Sequence, residues 1–174
     1  MKPKILCAAL LLVLSFFNIA HAQEGGQIYS MAVREARSGN IDAAFMYFRS
    51  LLTNYPDSKY TENALFATGE YYFLIADYAD AIPAFTRYLN DYPDSAGITF
   101  TLMYLLKIAE KRGQELLAKN LEKKIVTFRQ MSFLFRESKE YKYQSALYRK
   151  HRVVYYIDKV EFYIDGELFA KISY

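Results

Sequence analysis

The sequence predicts a mainly α fold: an α-solenoid of about three stacked helix pairs, followed by a small C-terminal antiparallel β-hairpin or three-stranded appendage. Part of the chain repeats at an offset of 37 residues, and within each copy the apolar residues fall at helical spacing. After Phe128 that spacing gives way to short Val- and Tyr-rich runs that carry a hairpin signal.

The repeat is read residue by residue. Asn54-Tyr55-Pro56-Asp57-Ser58 recurs as Asp91-Tyr92-Pro93-Asp94-Ser95, and the same offset aligns Ala44 with Ala81, Phe48 with Phe85 and Leu52 with Leu89. A second step aligns Ala81 with Ala118, Gly39 and Ala76 with Gly113, and Tyr29 with Phe66 and Met103. In the first unit, Ile28 to Arg37 forms one helix, Ser38-Gly39-Asn40 a turn, and Ile41 to Asn54 a second helix. Ile41, Ala44, Phe45, Phe48 and Leu52 make one apolar stripe along it. In the second unit Ser58 caps a helix to about Ala76, and Asp77 caps another from Tyr78 to Asn90. Pro83 lies near the start of that helix, where its missing N–H costs least; Pro56 and Pro93 stop the helices before them. The third unit is Ile98 to Arg112 and Gln114 to Phe128.

These units resemble the tetratricopeptide (TPR) family over residues 27–128. The second unit is the most complete, with Gly69, Tyr72, Ala76, Tyr78, Ala81, Phe85, Leu89 and Pro93 at the family's positions. The first has Ala32 and Glu35 in place of the glycine and tyrosine; the third is degenerate, with Glu122 replacing the aromatic. Small Gly69 and Ala81 let paired helices approach, while Phe85 and Tyr72 fill the space between neighbours. The repeat length and the Tyr-Pro-Asp-Ser turns are most similar to bacterial envelope members, the periplasmic Tol–Pal coordinator and the TPR protein of outer-membrane assembly. The resemblance implies a concave groove lined by the first helix of each unit: Tyr29, Val33, Arg37, Asn63, Phe66, Glu70, Phe73, Phe100, Met103 and Lys107. Tyr29, Phe66 and Met103 would form an apolar ladder for a peptide, and Arg37, Glu70 and Lys107 would set its polarity.

Residues 129–174 form the appendage, a basic and aromatic segment with a β-hairpin. His151 to Ile157, Val160 to Ile164 and Leu168 to Ile172 read as strands, and Asp165-Gly166 as the turn between the last two. A two-residue loop pairs Ile164 with Glu167. A three-residue loop pairs Ile164 with Leu168 and Val160 with Ile172, which gives the cleaner apolar face. Both remain open at this level.

Charge is unevenly spread. The chain has 22 Lys and Arg against 19 Asp and Glu, and with Lys2 and Lys4 set aside it is nearly neutral, which does not indicate a nucleic-acid binder. The basic excess gathers at Arg129, Arg136, Lys139, Lys142, Arg149, Lys150 and Arg152. It reads either as a surface for an anionic envelope partner or as a solvated linker that balances the acidic N-terminal half.

Residues 1–22 read as a signal peptide: Lys2 and Lys4, the apolar run Ile5 to Phe17, then Ala20-His21-Ala22 as a cleavage pattern. The one cysteine, Cys7, has Lys4 where lipid-modified exports carry a leucine, so the expectation is a periplasmic protein without a lipid anchor. No cysteine follows residue 22, and His151 is the lone histidine beyond it, read as a surface or strand-edge residue. No metal-ligand spacing, glycine-rich phosphate loop or nucleophile elbow is present, so neither cofactor nor enzyme activity is expected. The expected function is an exported TPR scaffold that binds protein segments in envelope assembly or maintenance. The alternative is a structural subunit that docks through its C-terminal hairpin.

Overall fold

The computed structural model describes residues 23–127 and 138–173. The signal peptide read in residues 1–22, and Arg129 and Arg136 of the basic segment, lie outside the described residues. Six helices come first: α1 (23–37), α2 (Ile41–Asn54), α3 (Thr61–Leu74), α4 (Tyr78–Asp91), α5 (Ile98–Lys111) and α6 (Glu115–Thr127). They pair as the repeat requires, in a TPR-like array. α2 buries Ala44, Phe45, Phe48 and Leu51 from one face. α3 instead buries every residue from Ala64 to Glu70. A helix buried all round has neighbours on every side, and α3 sits between α2, α4, α5 and the sheet.

The turn inside each repeat is the same device three times. Gly39, Ala76 and Gly113 have φ of 84°, 60° and 66°. Each donates its N–H to the carbonyl three residues back, at Ala36, Phe73 and Glu110, and the next residue donates to the carbonyl five back. This is the Schellman closure, which satisfies otherwise orphaned carbonyls and favours glycine at the left-handed position. Ala76 carries a Cβ there at a cost of about 1–2 kcal/mol. Ala76→Gly relieves that cost but enlarges the unfolded ensemble. It is expected to raise stability by about 0.5–1 kcal/mol, read as a higher midpoint in chemical denaturation with unchanged slope.

The Tyr-Pro-Asp-Ser turns also close through the same backbone bond. Ser58 and Ser95 donate their N–H to Tyr55 and Tyr92, and α3 and α5 start three residues later, at Thr61 and Ile98. Ser58 therefore shapes the turn rather than capping α3: its hydroxyl accepts from Tyr60 N, at 3.4 Å. Asp77 does cap α4, its carboxylate accepting from Asp80 N at 3.3 Å. Gly69 is the close-approach position, where an added Cβ would stand 2.8 Å from the Phe85 ring.

The appendage is a four-stranded antiparallel sheet in the order β1 (Lys139–Gln144), β2 (Lys150–Tyr155), β3 (Lys159–Ile164) and β4 (Glu167–Ser173). Strand β1 falls in the segment that the sequence reads either as a basic surface or as a solvated linker. It is an edge strand, where the charges of Lys139, Glu140 and Lys142 are tolerated and guard the open side against further pairing. The hairpin combines both registers considered from the sequence. Asp165 (φ 54°) and Gly166 (φ 92°) form a two-residue turn that pairs Ile164 with Glu167, yet Val160 still faces Ile172. A bulge beside Phe162 and Tyr163 reconciles them by leaving Phe169 without an opposite residue. The inward face (Tyr143, His151, Val153, Tyr155, Val160, Phe162, Ile164) packs onto the helices, and Phe66, Phe85 and Tyr104 share one core with Val153, Phe162 and Ile172.

Candidate functional site

The concave face is lined by α1, α3 and α5, as repeat geometry dictates, but it meets the chain's own sheet. Phe66 and Met103 are 0% exposed. The Phe66 ring lies 5.0 Å from Tyr143 and 5.7 Å from His151, centroid to centroid. Phe100 is 5.8 Å from Tyr143 and 6.4 Å from Phe162, and Phe73 is 5.8 Å from Phe169. In the first repeat Tyr29 is half-buried and stacks on Tyr60 at 4.3 Å, with Asn63 beside its phenol. Val33 packs against the cluster that holds Ala146 and Leu147. Lys107 pairs along its own helix with Glu110, at 2.8 Å. The sheet thus packs against Phe66, Glu70, Phe73 and Phe100, and Tyr148 of the β1–β2 turn meets Arg37. Phe66, Glu70, Phe100 and Met103 present no surface to solvent here, because the sheet supplies the apolar partner that the sequence left unassigned.

Polar groups on the two layers are matched. The Arg37 guanidinium donates from Nε to the Tyr148 hydroxyl at 2.8 Å, also from Nη2, and lies 4.8 Å from that ring's centroid. Glu70, at 0% exposed, accepts from Tyr104 Oη at 2.9 Å and lies 3.1 Å from His151 Nε2 and 4.0 Å from Arg149 Nη1. His151 Nε2 is also 3.0 Å from Tyr104 Oη. With the tyrosine donating to Glu70, the imidazole nitrogen must carry a hydrogen to sit against both oxygens. Arg149 Nε in turn pairs with Asp165 at 3.1 Å, and Asp165 accepts from Lys150 N at 2.8 Å. Burial works against the Asp165 carboxylate, but the Lys150 amide and Arg149 outweigh it and hold the pKa below the usual value.

His151 therefore departs from the expected surface position. It is 1% exposed, on the inward face of β2, because the partner that makes its burial tolerable sits on α3. The Glu70–His151–Tyr104 set contains acid–base groups, but closed away from solvent it joins layers rather than meets a substrate. Among the described residues no group of three His, Cys, Asp or Glu is placed to hold a metal ion.

The buried phenols give the two layers an alkaline limit. Burial first, and the Glu62 carboxylate nearby, push Tyr88 up to about 12 despite its bond to Ser95. Tyr104, by burial and the Glu70 charge, and Tyr143, by burial, also stand above the ordinary 10.0. A group whose pKa is raised on folding stabilises fully below its unfolded value and loses that contribution as pH rises through the folded one. Stability is expected to hold to about pH 10 and fall towards pH 12, with tyrosinate absorbance rising together with loss of near-ultraviolet ellipticity.

The basic residues divide between the two sides of the sheet. Arg149 turns inward to Glu70 and Asp165 and leaves the expected basic surface, because the turn it belongs to is buried. Lys142, Lys150 and Arg152 lie on the outer face, where Lys142 and Arg152 reach Glu140 at 2.7 and 3.6 Å and Arg152 stacks 3.9 Å over Tyr163. Lys139 lies over Tyr141, 4.8 Å from its centroid. What sequence reasoning missed was the partnership of Ala146, Leu147 and Tyr148 with the groove. The available signal was an apolar pair at the tip of a hairpin, where polar residues are usual.

A protein-family model described as an outer membrane lipoprotein matches residues 21–157. No curated protein matches the chain. The family's description overturns the expectation that the protein lacks a lipid anchor, since it implies a lipid-anchored periplasmic protein. That expectation rests on Cys7 lying inside the apolar run with Lys4 before it, a stretch outside the described residues. Of the two envelope types the repeats resemble, the match goes with the outer-membrane one and does not extend to the Tol–Pal coordinator.

Proposed function

The chain belongs to the YfiO family of outer membrane lipoproteins, and from that membership we propose that it is a non-catalytic protein-binding scaffold in outer-membrane assembly, docking with its sheet in place. The observation that carries this is the charge of the sheet's outer face. Strand alternation puts Lys142, Lys150, Arg152, Lys159 and Lys171 there against Glu140 and Glu161. Leu168 adds an apolar contact, at 56% exposed. A net basic, partly apolar face complements an acidic patch on a partner protein, and such complementarity governs association rate and specificity. Because the concave face is filled by the sheet, this outer face supports the docking alternative better than an open peptide groove.

Photo-crosslinkers placed at Lys150 and Leu168 in the native envelope test it, with Met46 on α2 as the control. The expected result is capture of an outer-membrane assembly component from the sheet positions, reduced about tenfold by Lys142→Glu with Lys171→Glu. Capture from Met46 alone would move docking to the helices. Crosslinks to lipid alone would replace the protein partner with the membrane surface.

A further inference from the structure

The two outer strands of the sheet differ in how they are protected. β1 carries Lys139, Glu140 and Lys142 among its residues, and such charges discourage a further strand. At the opposite edge, β4 holds Lys171 as its one charge after the opening Glu167, with Leu168, Phe169, Ala170 and Ile172 between and beyond. Among the described residues the β4 backbone bonds to β3 alone, so the N–H and C=O groups on its far side meet no other backbone. Apolar side chains flank that edge on both faces. Leu168 is largely exposed on the outer one. On the inner one the Phe169 ring lies 5.8 Å from Phe73, and α3 ends just past that contact with Leu74 and then Ile75, 46% and 53% exposed. Lys171 stands opposite Glu161, whose carboxylate is already taken by Lys159 at 2.8 Å and Tyr163 at 2.7 Å.

We propose that the open edge of β4 takes an extended segment of the docking partner as a fifth strand, with apolar side chains turned towards the helices and acidic ones beside Lys171. This rests on the reading of the sheet as the docking element and names what it docks. Each observation fixes one property of the occupant. An unpaired row of strand N–H and C=O groups is matched in register only by another extended chain, whose main-chain bonds give affinity while its alternate side chains give selectivity. Exposed Leu74 and Ile75 on the inner side ask for apolar residues there. Lys171, left without an acid of its own, sets the sign on the outer side, where opposite charges across strands attract. A second copy of this chain is the poorer occupant, since it would bring two Lys171 side chains onto one short seam. The bulge beside Phe162 and Tyr163 twists the edge and restricts it to a strand that fits.

A fluorescent hexapeptide of alternating valine and glutamate is titrated into the full chain and followed by anisotropy. Saturable binding is expected, weakened about tenfold by Lys171→Glu, which changes an exposed side chain and leaves the core alone. Two further peptides carry N-methyl groups, one on its valine amides and the other on its glutamate amides. Successive residues of a strand turn their N–H groups to opposite sides. One methylated peptide should therefore lose at least about tenfold in affinity while the other binds as the parent does. Hydrogen exchange should show the β4 amides slowed by the parent peptide and the β1 amides unchanged. Equal effects of the two methylations would mean charge attraction without strand pairing and overturn the proposal. So would an absence of saturable binding, or protection of β1 in place of β4. A concentration-dependent dimer that the peptide dissolves would put a second copy at the edge and overturn it as well. None of these outcomes alters the crosslinks expected from Lys150, so strand addition can fail while outer-face docking stands.

Discussion

Phe66→Lys is expected to leave the chain unfolded at neutral pH. Phe66 is fully buried and makes ring contacts with Phe85, Tyr88, Tyr104, Tyr143 and His151, drawn from both layers. Truncating such a ring alone costs about 3–5 kcal/mol. An ammonium in its place must either be desolvated or give up its proton, which adds several more. The total rivals the whole stability of an ordinary domain, about 5–15 kcal/mol. Circular dichroism and chemical denaturation decide it. A folded variant with near-normal thermal stability would put Phe66 at an open groove and undo the packing of sheet on helices described above. Phe66→Leu, which keeps the apolar contact at smaller volume, should fold and lose only a few kcal/mol.

Removing the buried carboxylate tests the other half of the contact. Glu70→Ala leaves the Tyr104 hydroxyl, the His151 imidazole and one side of Arg149 without their shared acceptor. Breaking a buried charged set from one side costs about 3–5 kcal/mol, chiefly because the groups left behind stay desolvated. For a chain of this length that corresponds to a loss of roughly 10 °C in Tm. The coupling is isolated by a double-mutant cycle with His151→Phe. An interaction energy of about 1 kcal/mol or more is expected, since residues in direct contact rarely act additively. Additive losses would show that Glu70 and His151 are stabilised separately, and the link between α3 and β2 would then be packing alone.

The helices were legible because their signals are local. Ile41–Asn54 has the bounds that its apolar stripe and flanking turns announce, and the Gly39, Ala76 and Gly113 turns were visible as one aligned column. Ser58 misled because a serine before an apolar run can shape a turn as well as cap a helix, and only the Tyr55 carbonyl distinguishes the two. Strand β1 was missed because half of its six residues are charged, a composition that an edge strand shares with a linker. The ten groove residues fall on the first helix of each unit, but their exposure could not follow from the repeat. Periodicity says which residues face inward and is silent about what lies opposite.

By itself the sequence determined the repeat register, the helix pairs, the turn chemistry and the strand-forming character of the last residues, because each is set by contacts within a few positions or by a fixed offset. The tertiary structure alone decided that the sheet lies across the concave face. That placement joins Arg37 to Tyr148 and Glu70 to Arg149 and His151, pairs far apart in the chain and bound by no spacing rule. It follows from the free energy of burying two incomplete apolar faces together, a quantity that belongs to both surfaces at once and to neither segment read alone.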